Sequence, residues 1–293
     1  MNWMALFPTL NCPSDADRIP FVSPAAAIPK ILHQIYFSDQ PMAPELAANV
    51  ARLKALNPDW EHRLYDAPAM RAFILQHYGS NILTAFDRLN PAYGAALADF
   101  FRYLVLYRMG GVYLDIKSTA TKPFNAVLRP DDGYLLAQWR NREVERFRNW
   151  GLHPEIADIA GGEFQQWHII AAPGHPFLKA VLESVIRNIS VYNSGLHGAG
   201  QLGVLRVTGP IAYTRAIAPL VSQCRHRRVD AETDLGLGYS LFENERHAGL
   251  FKTHYATLRD PVVRPSVVGM VLSRLFESLR VMVRRTRAMA AKP

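Results

Sequence analysis

Behind Pro44, apolar residues at Leu46, Val50, Leu53 and Leu56 recur at helical spacing and predict a helix that starts there. Ahead of it, "IPKILHQIYF" (28–37) is β-rich and mostly apolar, the pattern of a buried strand. "WEHRLYD" (60–66) predicts a second strand and 68–78 a second helix, an alternation that points to an α/β fold with a largely parallel sheet. Residues 91–111 predict a long helix, apolar nearly all round and stopped by the glycine pair at 110 and 111. "VYLDI" (112–116) and "GYLLAQW" (133–139) follow as strands, and 175–190 as a helix opened by "PGHPF". Segment 191–203, rich in Gly, Ser and His, reads as loop, and "VTGPIAYTRAI" (207–217) as a turn opening a helix. Residues 1–27 lack periodicity and read as a loose leader, 28–262 as one main domain, and 263–293 as an appended basic amphipathic helix.

Composition narrows the picture only in places. A chain of 293 residues with 49% hydrophobic and 20% charged positions can bury a sizeable core. A net charge of +8 suits an anionic partner without choosing among nucleotide, nucleic acid and acidic membrane. The two cysteines, Cys12 and Cys224, are too few for a disulfide framework or a zinc site, so a reducing, cytoplasmic setting is expected. "MNWMALFPTL" has no basic start and is broken by Pro8, unlike a signal peptide. No uncharged apolar run approaches the roughly 18 residues needed to cross a bilayer.

The chemistry gathers around two places. Asp99 and Arg102 stand three residues apart on one face of the apolar helix, where burying them is costly unless they pair or meet a ligand. An internal ion pair and a clamp for sugar hydroxyls or phosphate oxygens both answer that cost. Asp115 falls where the next strand runs out, the end at which open α/β sheets bind ligands. It suits a hard cation bridging phosphates, or a turn cap. Strand alternation through "VYLDIKS" would put Lys117 beside it on the same side.

"IPKILHQIYF", "ALADFFRYLVLYRMGGVYLDIKS", "PGHPF" and "TGPIAY", in this order over residues 28–260, resemble glycosyltransferase family 32, the DxD-containing sugar transferases. That family includes the yeast initiating α-1,6-mannosyltransferase and bacterial capsule and lipopolysaccharide enzymes, and its core is similar to the clostridial glucosylating toxins. The resemblance implies a GT-A fold, a nucleotide-diphosphate sugar donor and transfer of a hexose with retention to a glycan or glycolipid acceptor. By position, Ile35 and Tyr36 fall at the nucleotide site, Tyr36 standing where relatives often stack a tryptophan on the base. Asp99 and Arg102 match the pair that grips the donor sugar, and Tyr113 an aromatic near the donor phosphates. Asp115 matches the first acid of D-x-D, a metal ligand, and His254 the region of a C-terminal metal or diphosphate ligand. The Gln165-Gln166-Trp167 stretch falls in a region that lines the sugar site.

Lys117 stands where relatives carry the second acid. A charged lysine repels a divalent cation, yet it can direct positive charge at a departing diphosphate, which is one task of the manganese or magnesium that the resemblance implies. The departure leaves three readings open: a metal site resting on Asp115 and His254, charge supplied by Lys117 instead, or an inactive sugar-nucleotide-binding protein. A toxin-like transferase acting on protein is a further alternative.

The terminal stretch 264–292 holds seven Arg or Lys against one Glu, with Val267, Val271, Leu275, Phe276 and Leu279 on a broad apolar face. Such a helix can lie in an anionic membrane interface, making the protein peripheral at the inner face of the cell membrane, or dock on the main domain. No aromatic-interleaved basic motif accompanies the charge, so nucleic acid is not an expected partner.

Overall fold

The computed structural model describes residues 9–12, 17–38, 40–242 and 258–265. In chain order the elements are β1 (Ile31–Ile35), α1 (Pro44–Leu56), β2 (Glu61–Tyr65), α2 (Ala67–Asp87), α3 (Gly94–Met109) and β3 (Gly111–Leu114). There follow β4 (Thr119–Ala120), α4 (Phe124–Val127), β5 (Tyr134–Leu136), β6 (His168–Ala171) and α5 (Pro176–Val191). The last are α6 (Ser194–His197), α7 (Gly200–Val207), α8 (Pro210–Ile217), β7 (Arg227–Arg228) and β8 (Leu237–Gly238).

Six strands form one sheet in the order β2-β1-β3-β6-β5-β7, while β4 and β8 pair separately. β2, β1 and β3 run parallel, as do β5 and β7, and β6 is antiparallel to its neighbours β3 and β5. This is the mostly parallel, helix-flanked sheet expected of a GT-A transferase. β3 shows why the sheet sits where it does. Tyr113 joins the core under α2, α3 and α5, whereas Val112 and Leu114 join the cluster with Trp60 and Phe124 on the opposite face. Period-two alternation with both faces apolar requires a strand covered on both sides.

The glycine pair after α3 has a backbone task. Gly110 and Gly111 both lie at positive φ, +65° and +107°, which lets the helix turn straight into β3. A Cβ on Gly111 would meet the Ile31 carbonyl oxygen at 2.5 Å, and one on Gly110 the Pro173 ring at 2.5 Å. The end of α3 is thereby pressed between β1 and the chain entering α5.

Several expectations need correction. The strand read over 28–37 is confined to β1, and that over 112–116 ends at Leu114, because the Ser118 amide already donates to the Asp115 carbonyl (2.8 Å) in a turn. Segment 191–203 is not loop: it holds α6 and the start of α7. Two of its glycines serve close packing, since a Cβ on Gly200 would meet the Leu258 carbonyl oxygen at 2.5 Å and one on Gly203 would meet Val262 at 2.7 Å. The described part of the stretch read as a loose leader is anchored, with Ile19 only 2% exposed and the amides of Arg18 and Ile19 donating to Glu183 (2.9 Å each). His254 and most of the C-terminal helix read over 263–293 lie outside the described residues. Among the described residues no helix is long and apolar enough to cross a membrane.

Candidate active site

A cavity of about 430 Å³ opens across the carboxyl ends of β1, β3 and β5. α3 offers it Gly94, Ala95 and Ala98, whose small side chains leave the space, and then Asp99 and Arg102 one turn on. The end of β1 contributes Ile35, Tyr36 and Phe37, and the end of β3 contributes Tyr113, Asp115 and Lys117.

The floor is one connected set of charges. Arg102 Nη2 pairs with Asp99 Oδ1 at 3.0 Å, and Nη1 with Asp115 Oδ1 at 3.3 Å. Nη1 also donates to the Gln166 carbonyl (2.7 Å), and the guanidinium lies 4.7 Å from the Tyr113 ring centroid. Asp99 further accepts from Gln166 Nε2 (3.2 Å) and the Thr208 hydroxyl (3.0 Å), while the Tyr113 hydroxyl donates to Asp115 (2.9 Å). Asp99 and Arg102 are both buried, so each needs these partners. Burial raises the Asp99 carboxyl to about 6, against the opposing pull of Arg102. Burial alone would make Arg102 easier to deprotonate, but Tyr113, Asp115 and Asp99 outweigh it and hold the guanidinium charged.

The structure brings Ile35, Tyr36, Asp99, Arg102, Tyr113, Asp115 and Lys117 to one cavity. Lys117 does not pair with Asp115 as alternation suggested, because the chain has already left the strand. Its ammonium donates to the Tyr239 hydroxyl (3.0 Å) and sits 4.2 Å from that ring's centroid, and among the described residues no carboxylate pairs with it. Of the 165–167 stretch, Gln166 and Trp167 line the cavity and the Trp167 carbonyl accepts from the Asp115 amide (2.8 Å). Gln165 lines a separate, much smaller cavity.

Thr208, Trp139, Trp150, His153, Glu163 and Tyr239 belong to the site and were not singled out from the sequence. A signal existed: three of the chain's five tryptophans fall between 139 and 167. As for a divalent cation, among the described residues no group of three His, Cys, Asp or Glu could hold one. Among the described residues the donor set there is one carboxylate already engaged by Arg102, with a lysine two positions on, which by itself does not make a metal site; His254 lies outside the described residues.

Residues 44–133, from α1 to the approach to β5, match the family described as glycosyltransferase sugar-binding region containing DXD motif. The chain is 28% identical over 207 residues to the initiation-specific α-1,6-mannosyltransferase of Schizosaccharomyces pombe, covering 66% of this chain and 48% of that protein. To inositol phosphoceramide mannosyltransferase 3 of the same yeast it is 29% identical over 187 residues, covering 64% and 44%. The chain thus spans about half the length of these relatives. Among solved structures, the ligand-free glycosyltransferase domain of the YGT toxin superposes with a TM-score of 0.48 at 10% identity, covering 70% of this chain and 80% of that one.

Proposed function

We propose that the chain is a DXD-containing sugar transferase and that it moves a hexose from a nucleotide-diphosphate sugar to a hydroxyl of a glycan or glycolipid, retaining configuration. The observation that carries this reading is the Asp99–Arg102–Asp115 set, three coupled charges on the cavity floor at the carboxyl end of β3. Asp99 and Arg102 hold the hydroxyls of the donor sugar, the carboxylate accepting and the planar guanidinium donating. Ile35 and Tyr36, at the end of β1, receive the nucleoside. Asp115, its carboxylate oriented by the Tyr113 hydroxyl, sets the position of Arg102 from below.

In the transfer, the bond from the anomeric carbon to the diphosphate oxygen breaks and the acceptor oxygen bonds to that carbon on the same face. The proton of the acceptor hydroxyl passes to the departing phosphate, so no separate protein base is required. Lys117 supplies positive charge to that leaving group, a role favoured by its neutral contact with Tyr239. A divalent cation, if bound, would supply charge of the same sign to the leaving group.

Hydrolysis of a panel of nucleotide sugars, with and without chelator, tests this reading in the wild type and in Lys117→Asp. The wild type should keep its turnover in chelator, while the variant, with the usual pair of acids rebuilt, should require manganese or magnesium. Wild-type turnover that vanishes in chelator and returns with manganese would make Lys117 a bystander. The same lysine also favours a second reading, an inactive sugar-nucleotide binder. That reading expects thermal stabilisation by a nucleotide sugar with no turnover under any condition.

A further inference from the structure

The far end of the cavity is built differently from its floor. Trp139, Trp150 and Tyr239 form a wall of mutually perpendicular rings, with centroids 5.0 Å apart for Trp139–Trp150, 5.3 Å for Trp139–Tyr239 and 5.6 Å for Trp150–Tyr239. Beside them Glu163 is nearly buried and accepts from the Trp139 indole N–H (2.8 Å) and from His153 Nε2 (2.8 Å). That bond places the imidazole proton on Nε2 and leaves Nδ1 available. Two donors also leave part of the carboxylate's acceptor capacity unused.

This wall is held by backbone rather than by chance packing. Gly151, at φ +71°, brings the chain so close that a Cβ there would meet Glu163 Cγ at 2.6 Å and Trp139 Cδ1 at 2.8 Å. The Glu163 amide donates to the Gly151 carbonyl (2.9 Å), and Asn141 Nδ2 to the Trp150 carbonyl (2.8 Å). Trp150 nonetheless remains 40% exposed, a large indole presented to solvent at the cavity mouth.

Sheet order says which part of a reaction this wall meets. The nucleoside end lies at β1 and the coupled charges at β3, whereas Trp139 follows β5, two strands further along the order β1-β3-β6-β5. Tyr239 ties the wall to the end of β3, its hydroxyl accepting from Lys117 Nζ at 3.0 Å, so the wall adjoins the lysine assigned to the leaving group, on the side of the sheet away from β1. A carboxylate there repels phosphate, and aromatic faces with a few hydrogen-bonding groups suit a neutral ring with apolar faces and a hydroxyl edge.

We propose that Trp139, Trp150 and Tyr239, with the Glu163–His153 pair, form the acceptor subsite, and that its ligand is a cyclic polyol: a pyranose or an inositol ring. This rests on the transferase reading above and adds the acceptor's chemistry and its place. The ring lies against Trp150 and its hydroxyls bond Glu163 and His153, with the reacting hydroxyl turned toward the charges at β3.

Saturation-transfer NMR on the full chain, with methyl hexopyranosides and myo-inositol as separate probes in the presence of a nucleoside diphosphate, tests the assignment. Trp150→Ala should lower affinity for the bound polyol at least tenfold more than affinity for the nucleoside diphosphate, and Trp150→Phe should restore most of it. The two probe sets distinguish a glycan acceptor from an inositol headgroup. A wild type that binds the nucleotide but neither polyol overturns the acceptor assignment and leaves the donor reading standing. So does unchanged polyol binding in Trp150→Ala. An equal loss of nucleotide would make the wall a base platform, which also overturns it. A wild type that binds no nucleoside diphosphate removes the donor reading, and this inference with it.

Discussion

Replacing Arg102 by lysine keeps the charge and removes the geometry. In the wild type two different nitrogens reach two carboxylates, Nη2 to Asp99 at 3.0 Å and Nη1 to Asp115 at 3.3 Å, while Nη1 also serves the Gln166 carbonyl at 2.7 Å. An ammonium is a single point and can hold one carboxylate well, not both across that span. The variant therefore loses at least one hydrogen bond to a charged group in a buried setting, a cost of about 1.5–3 kcal/mol. Expressed in the transition state, at about 1.4 kcal/mol per tenfold, that lowers kcat/KM for nucleotide-sugar hydrolysis by roughly 10- to 150-fold. The affinity for free nucleoside diphosphate, measured by calorimetry, should stay within about threefold, because Asp99 and Arg102 face the sugar. If the pair were only a structural tie, the same energy would appear as stability, about 3–12 °C in Tm at roughly 2–4 °C per kcal/mol. Equal losses of hydrolysis and nucleotide affinity, accompanied by such a fall in Tm, would refute the clamp.

Asp115→Ala removes a carboxylate that is partly exposed, and Arg102 keeps Asp99, so the variant should fold with a small change in Tm yet lose transfer by about 100-fold or more; near-normal turnover in a folded protein would remove Asp115 from the mechanism. Burial raises Asp99 to about 6, above its unfolded value, so ionising it costs stability once the pH exceeds about 6, and that cost disappears as the pH falls toward 4. Transfer needs the carboxylate, so kcat/KM should fall on the acid side of about pH 6 while the Tm difference between Asp99→Asn and wild type narrows; a flat profile down to pH 4.5 would contradict the assignment. Deleting residues 265–293 cuts beyond the Leu89–Val263 bridge, so the described fold should survive and keep hydrolysis. If the removed helix lies in the interface, the truncation should leave anionic liposomes that the full chain binds, with wild-type binding weakening steeply in salt at about 1 kcal/mol per arginine; a truncation that aggregates or melts early, from a parent that never bound liposomes, supports docking instead.

Much of the donor half of the site was legible because its information is local. An apolar helix carrying Asp99 and Arg102 three residues apart needs no tertiary structure to put both on one face. The glycine stop and the β-rich run after it announce a helix turning into a strand, and Asp115 then falls at that strand's end. What failed there failed by two residues: β3 stops at Leu114 rather than Ile116, the turn begins, and the alternation that paired Asp115 with Lys117 no longer applies. The glycines of 191–203 misled for a related reason, since composition cannot tell a flexible glycine from one required by close contact with Val262.

The other half was settled only by folding. Thr208 reaches Asp99 across 109 positions of chain and Tyr239 meets Lys117 across 122, separations over which no periodicity carries a signal. The antiparallel β6 sets Gln166 and Trp167 beside the end of β3, an adjacency that depends on strand order and direction rather than on any run of residues. The sequence by itself therefore determined which helix face bears charge and which strand end carries the acid, because helix and strand periods are properties of the local backbone. Which aromatic rings and carboxylates would converge opposite them, and that Lys117 would rest on a tyrosine instead of an aspartate, depended on long-range packing of segments whose local patterns are silent about one another.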